Sequence, residues 1–214
     1  MSRPFALLLV RHGESTWNAE GRYQGRRDSA LSDLGVLQAQ ALAAALATKE
    51  RPRAIASSPL SRARQTAQFA AQACGLSLAI DARLVEIDHG AWEGELASDV
   101  ARRWPEMLRD WKARPESVTF PGGESLKDVL ERWQSFRSDL ARFESPLVVV
   151  THDVIVRLAA LEAAGKGVAG FFEDRSDNCA ITEIHYEGQQ TRLVRRNDTT
   201  HLGPLLADVA KQAL

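Results

Sequence analysis

The chain is poor in cysteine. Its two, Cys74 and Cys179, lie far apart and form no C-x-x-C pair. That excludes a disulfide framework and a thiolate zinc site, and both read as reduced structural thiols. No apolar stretch approaches the roughly 20 residues that cross a bilayer, and no signal peptide is visible. Neither sign of charge dominates: 27 Lys and Arg stand against 28 Asp and Glu, for a formal net charge of −1. With no basic run either, nucleic acid is not an expected partner. Repeats and low-complexity segments are absent as well. What is left is an ordinary globular composition in 214 residues. At roughly 150 residues per domain this reads as a single domain over 1–214, long enough for a sizeable core. A cytoplasmic protein is the default expectation.

The chain is organised around Phe5–Asn18, which reads Phe-Ala-Leu-Leu-Leu-Val-Arg-His-Gly-Glu-Ser-Thr-Trp-Asn. Six apolar residues run unbroken and stop at Arg11. That is the length of a strand, and the lack of polar alternation means both faces are covered, as in a parallel sheet. Arg11 and His12 then stand just past the strand's carboxyl end, where open α/β sheets bind ligands. Gly13 lets the backbone turn there. Arg11 offers a forked cation suited to phosphate or carboxylate. Its charge also disfavours imidazolium, which keeps His12 neutral and nucleophilic.

A polar loop from Ala19 to Asp28 follows, with Arg22, Arg26 and Arg27 near Arg11. The cations suggest an anionic ligand, although Arg26 and Arg27 read equally well as a solvated loop. Ser32 caps a helix whose apolar face is Leu37, Ala41 and Ala44, running to about Thr48 before Pro52. Residues 53–58 form a short strand. Ser58 then caps a second helix with Pro59 at its first position. Ala63, Ala67, Ala70 and Cys74 make its packed face, and Gly75 closes it. Arg62 and Arg64 are two apart, so at most one faces the strand edge. Arg62 lies in the first turn, where an anion is favoured.

Leu76–Ile80 reads as a third strand, followed by a loop holding Glu86, Asp88, His89 and Glu93. A buried Glu86 would have a raised pKa and serve as a general acid; Glu93 reads as a surface pair. Residues 96–123 are irregular, with Trp104, Trp111 and Phe120 among prolines. They are expected to form helical pieces, either a substrate lid or local packing. Ser125 caps an amphipathic helix carrying Leu126, Val129, Leu130, Trp133, Phe136, Leu140 and Phe143. Leu147–Thr151 repeats the opening design, ending in His152 at the start of a helix. Two strands, 179–186 and 191–195, turn at Glu187-Gly188, and a short helix after Gly203-Pro204 ends the chain.

Four strand ends thus carry Arg11 and His12, Ser58 and Arg62, Glu86, and His152. In a mostly parallel sheet they share one edge. Two His, two Arg and one Glu suit phosphoryl transfer. One imidazole attacks phosphorus while the guanidinium groups and second His stabilise the equatorial oxygens. Glu86 protonates the leaving oxygen and then takes a proton from water. A metal site built from His12, His152, Asp153 and Asp88 is disfavoured. No two His have ligand spacing, and Arg11 would repel a divalent cation.

The chain also resembles the histidine phosphatase superfamily, in its phosphoglycerate mutase-like branch. The resemblance rests on Arg11-His12-Gly13-Glu14-Ser15 with Trp17-Asn18, Gln24-Gly25 and Leu31-Ser32-x-x-Gly35. It continues through Ser57-Ser58-Pro59-Leu60-Ser61-Arg62-Ala63-x-x-Thr66-Ala67 and Leu84-x-Glu86-x-x-x-Gly90-x-Trp92-Glu93-Gly94. Gly123-Glu124-Ser125, Val149-Val150-Thr151-His152 and Asn197-Asp198-Thr199-x-His201-Leu202 complete it. These motifs span nearly the whole chain. The resemblance implies a three-layer α/β/α sandwich around a mostly parallel sheet. It implies His12 as a phosphohistidine nucleophile, with Arg11, Arg62 and His152 as the phosphate pocket and Glu86 as proton donor and acceptor. It places Asn18, Gln24 and Gly25 along the substrate site, and requires neither metal nor cofactor. A small phosphorylated metabolite is the implied partner, and homodimers are common among relatives.

Two positions depart from the pattern. Asp153 stands where Gly is frequent, and is expected to trim the pocket's positive charge or to orient His152. His89 replaces an apolar or aromatic residue and has no assigned role. The favoured function is a metal-independent phosphatase acting on a small phosphomonoester. The alternatives are a bisphosphate-dependent phosphoglycerate mutase and a non-catalytic phosphate-binding regulatory module. Such mutases carry a longer insertion between Gly94 and Leu147, and the short segment here favours the phosphatase. Specificity is expected to lie in residues 96–123.

Overall fold

The computed structural model describes residues 4–173, 175–188, 190–208 and 212–213. Six strands form one sheet in the order β3-β2-β4-β1-β5-β6. They are β1 (Phe5–Arg11), β2 (Ala54–Ser57), β3 (Leu78–Ile80), β4 (Leu147–Thr151), β5 (Ile181–Glu187) and β6 (Gln190–Asp198). The first four pair in parallel; β5 and β6 add an antiparallel hairpin at one edge.

The apolar run of β1 is unbroken because both of its faces are buried. Leu7 and Leu9 join one core cluster; Leu8 and Val10 join the other, on the opposite face. Burying each such side chain contributes about 1.5–3 kcal/mol. Helices α1 (Thr16–Glu20), α2 (Asp33–Ala45) and α3 (Ser61–Cys74) follow β1 and β2, with α2 and α3 packed over Leu8 and Val10. Helices α4 (Ala97–Arg103), α5 (Pro105–Ala113), α6 (Leu126–Ser138) and α7 (Asp153–Ala163) supply the other layer. The architecture is therefore α/β/α around a mostly parallel sheet. None of the described helices is long and apolar enough to cross a membrane.

Several local readings are corrected. The buried face of α2 is Gln38, Ala39, Leu42 and Leu46, while Leu37 is 49% exposed. This helix is apolar nearly all round, so periodicity could not choose a face. The choice follows Gln38, whose side chain accepts from the Glu14 N–H and donates to the Leu205 carbonyl. The helix widens into a π-helical turn over Leu46–Glu50 and stops at Arg51 with φ +46°. Ser58 does not cap α3, which starts two residues after Pro59. Asp28 substitutes at that end, accepting from the Ser61 N–H and hydroxyl at 2.8 and 2.6 Å. Among the described residues the chain around Pro204 makes a 3-10 turn, Gly203–Leu205, and part of the expected C-terminal helix lies outside the described residues.

Ser125 does cap α6, in a capping box with Asp128. Gly75 ends α3 at φ +66°. Thr151 lies opposite Arg11 in the parallel register, which places His12 and His152 side by side at one sheet edge.

Candidate active site

His12 leaves β1 with its backbone N–H bonded to the Thr151 carbonyl and its own carbonyl held by Asn178 Nδ2 at 3.0 Å. Its Nδ1 lies 2.7 Å from the Gly13 carbonyl. A carbonyl only accepts, so Nδ1 carries the proton and Nε2 the lone pair. Arg62 Nε donates to that Nε2 at 3.1 Å. Burial, then Arg62, then Arg11 hold the imidazole pKa well below its usual value. A neutral, oriented ring is the form a nitrogen nucleophile requires.

Arg62 is 1% exposed, whereas Arg64 faces solvent. Besides His12 it reaches the Arg27 and Gly25 carbonyls, at 3.0 and 2.8 Å. Three divergent bonds fix its guanidinium plane. Burial lowers its pKa to about 10, so it stays cationic at neutral pH. Gly25 presents that carbonyl from a left-handed backbone at φ +54°, against the Glu93 carboxylate. A side chain there would strain the backbone and run into Glu93.

Arg11 is equally buried. It donates to the Ser176 carbonyl at 2.7 Å and to Gln212 Oε1 at 2.6 Å, while its Nε has no hydrogen-bond partner among the described residues. Gln212 in turn donates to Asn178 at 2.8 Å. Sequence reasoning missed this brace, because nothing in the spacing of Asn178 and Gln212 marks them as neighbours of β1.

Glu86 is 7% exposed, and its pKa is pushed up to about 7. Burial is the main cause and the Asp153 carboxylate the second; the Ile87 N–H, Arg62 and Arg11 act against them. A carboxyl poised there can give a proton and take one back near neutrality.

These groups share one cavity, lined by Arg11, His12, Asn18, Gln24, Gly25, Arg62 and Glu86, and closed by His89, Trp111, Asp153 and Phe171. His152 lies beside His12, edge-on, with ring centroids 5.1 Å apart. Its Nε2 lies 2.8 Å from Ser58 Oγ, which also accepts from the Leu60 N–H at 3.3 Å. Burial and the nearby Arg62 keep it neutral. Asn18 and Gln24 are fixed by Ser15, whose hydroxyl donates to Gln24 Oε1 at 2.7 Å and accepts from the Asn18 N–H at 3.0 Å, while its backbone N–H donates to Asn18 Oδ1 at 3.1 Å.

The other loop cations do not join. Arg26 pairs with Glu124 and Asp88, Arg22 with Glu20, and Arg27 lies 3.9 Å from Glu93. Of the aromatic residues in the irregular segment, Phe120 and Trp104 are packing, against Trp92. Trp111 reaches the cavity. His89 also lines it, edge-on to Tyr23 and Phe120, with a pKa lowered by burial to about 3.

The model of the histidine phosphatase superfamily (branch 1) matches residues 7–199. Phosphoserine phosphatase 1 of Hydrogenobacter thermophilus is 38% identical over 207 residues, covering 96% of this chain and 98% of its own. A metal-independent phosphoserine phosphatase of Arabidopsis thaliana is 32% identical over 200 residues, covering 92% and 82%. Among solved structures, mycobacterial glucosyl-3-phosphoglycerate phosphatase superposes with a TM-score of 0.83 at 27% identity. It covers 92% of this chain and all of that one.

Proposed function

This chain belongs to the histidine phosphatase superfamily, and on that premise we propose how its site works. The protein is a phosphatase of small phosphoesters, a phosphoric monoester hydrolase. In our reading the ester phosphate enters between Arg11 and Arg62, beside Asn18, Gln24 and Gly25. The entering phosphate oxygen is a charged acceptor and draws the Arg62 N–H from His12, freeing the Nε2 lone pair. Nε2 then forms the N–P bond as the P–O bond to the alcohol breaks, and Glu86 protonates the departing oxygen. A water next attacks phosphorus, gives its proton to Glu86, and releases phosphate as the N–P bond breaks. Arg11 and Arg62 offset the charge on the equatorial oxygens in both steps. His152, neutral and edge-on to His12, would stand with the guanidinium groups beside the equatorial oxygens.

The observation that carries this reading is the pairing of a neutral His12, its Nε2 directed at Arg62, with a Glu86 whose pKa is about 7. No metal is invoked, because two buried guanidinium groups already supply the positive charge. Phosphoserine is the first substrate to try, on the names of the relatives. Residues 96–123, through Trp111, would shape the leaving-group end.

The test is phosphate release from phosphoserine, 3-phosphoglycerate, glucosyl-3-phosphoglycerate and sugar phosphates, with chelator present and His12→Ala alongside. Release that survives the chelator and is lost in the variant is the expected result. Conversion of 3-phosphoglycerate to its isomer without release would make the protein a mutase. Phosphate binding without either reaction would make it a regulatory module.

A further inference from the structure

The scheme above leaves Asp153 without a task. It opens α7 immediately after His152, is 2% exposed, and lines the same cavity as Glu86. No hydrogen bond joins it to His152, so orienting that ring is not what it does. It stands instead between two guanidinium groups. Its Oδ2 is 2.8 Å from Nε of Arg157, one helical turn on, and its Oδ1 is 3.7 Å from Nη1 of Arg11. Arg157 is itself buried, with its guanidinium carbon 5.2 Å from the centroid of the Phe171 ring.

Two buried carboxyl groups that share a cavity do not both ionise readily. The surroundings of the two differ. Asp153 has two guanidinium groups within 4 Å, whereas the hydrogen bond to the Glu86 carboxylate comes from one backbone N–H, that of Ile87. We propose that Asp153 is a positioning residue, a buried counter-charge anchored by Arg157, that keeps Glu86 in its proton-carrying form and weakens the cavity's hold on phosphate. The inference rests on Glu86 being the proton donor.

Other charged groups bear on both carboxyls. Arg11 on β1 and Arg62 on α3 face Glu86, and Arg132 on α6 donates to its backbone carbonyl at 3.1 Å. Lys112 on α5 lies within electrostatic reach of Asp153 and Arg157, and Asp177 within reach of Arg11. His12, His89 and His152 are neutral. Among these groups Asp153 is the negative charge that most raises Glu86.

The experiment is the pH profile of kcat/KM with phosphoserine, whose alkoxide leaving group needs a proton, together with inhibition by inorganic phosphate, for wild type, Asp153→Asn, Glu86→Gln and the double variant Asp153→Asn/Arg157→Gln. The double variant avoids an orphaned buried cation, should the single one fold poorly. The expected result is a basic limb moved toward acid by about one pH unit in both Asp153 variants. Phosphate inhibition should tighten roughly three- to tenfold in Asp153→Asn. A uniform loss of rate with an unmoved limb means a structural role and overturns the inference alone. A wild-type limb that persists in Glu86→Gln removes Glu86 as the titrating group, and the inference falls with the reading it rests on.

Discussion

Nε of Arg62 donates to Nε2 of His12 across 3.1 Å, so the cation that would bind phosphate also holds the lone pair that would attack it. In the proposed mechanism the substrate phosphate would take this N–H from His12 and so release the lone pair for attack. Arg62→Lys tests this coupling. A lysine keeps the charge but is a point donor that cannot reach His12, Arg27 and Gly25 from one plane. The expected loss in kcat/KM is roughly 10²–10³-fold. Leaving the buried Gly25 carbonyl unpaired should also cost about 1–3 kcal/mol in unfolding free energy. A lysine variant with more than half the wild-type kcat/KM would show that charge alone suffices.

His12 should carry the phosphoryl group between the two steps. Rapid quench into alkaline detergent during turnover of a labelled ester should trap label on the protein that is stable to base and lost in acid, the signature of a phosphoramidate. The label should map to the peptide containing His12 and be absent from His12→Ala. Loss of turnover in that variant should be roughly 10⁴-fold or more, with an unchanged far-UV circular dichroism spectrum. Label on any other residue would remove His12 from its role.

Much of this site was legible because its residues sit at strand ends. β1 announces itself by an unbroken apolar run, β4 repeats it, and each stops on a polar residue that the parallel register brings to one edge. Glu86 was legible as a carboxyl in the third such loop. The remainder depends on contacts with no periodic signature. Asp28 closing the N-terminus of α3, Ser58 turned to His152, and Gln212 reaching Arg11 from the far end of the chain are long-range pairings. The wrong face for α2 has a different cause. Alanine and leucine surround that helix, so only tertiary contact with Glu14 and Leu205 chooses the buried side.

Trp111 is the member of the irregular segment that meets the cavity, and it is 1% exposed. It should therefore act on the leaving group rather than on the phosphate. Trp111→Phe keeps an apolar ring and most of the packing against Phe120 and Phe171, at 5.0 and 5.5 Å between centroids. The expected outcome is a change in KM that differs between phosphoserine and glucosyl-3-phosphoglycerate, with inhibition by inorganic phosphate unaltered. Equal effects on all substrates and on phosphate would mean that the ring only supports the fold.

The raised pKa of Glu86 should also be measurable as lost stability. Its folded value is about 7 against 4.5 unfolded, so the folded chain holds the extra proton between those limits. Below pH 4.5 the residue is protonated in both states and contributes no difference. As pH rises toward 7 the native state must either keep the proton or ionise in a buried site, and stability falls by up to about 3 kcal/mol. The buried histidines act at the other end. His12, His89 and His152 are neutral in the fold with lowered pKa values, so the unfolded chain takes up protons below about pH 6.5 and stability falls as pH drops. Glu86→Gln separates the two effects. Glutamine keeps an oxygen for the Ile87 N–H and cannot ionise. Its melting temperature should match wild type near pH 4.5 and exceed it at pH 8 by about 6–12 °C, in a protein that has lost its acid catalyst. Equal melting temperatures at pH 8 would mean that Glu86 ionises in the fold without cost, and its assignment as the proton donor near neutrality would fail with that result.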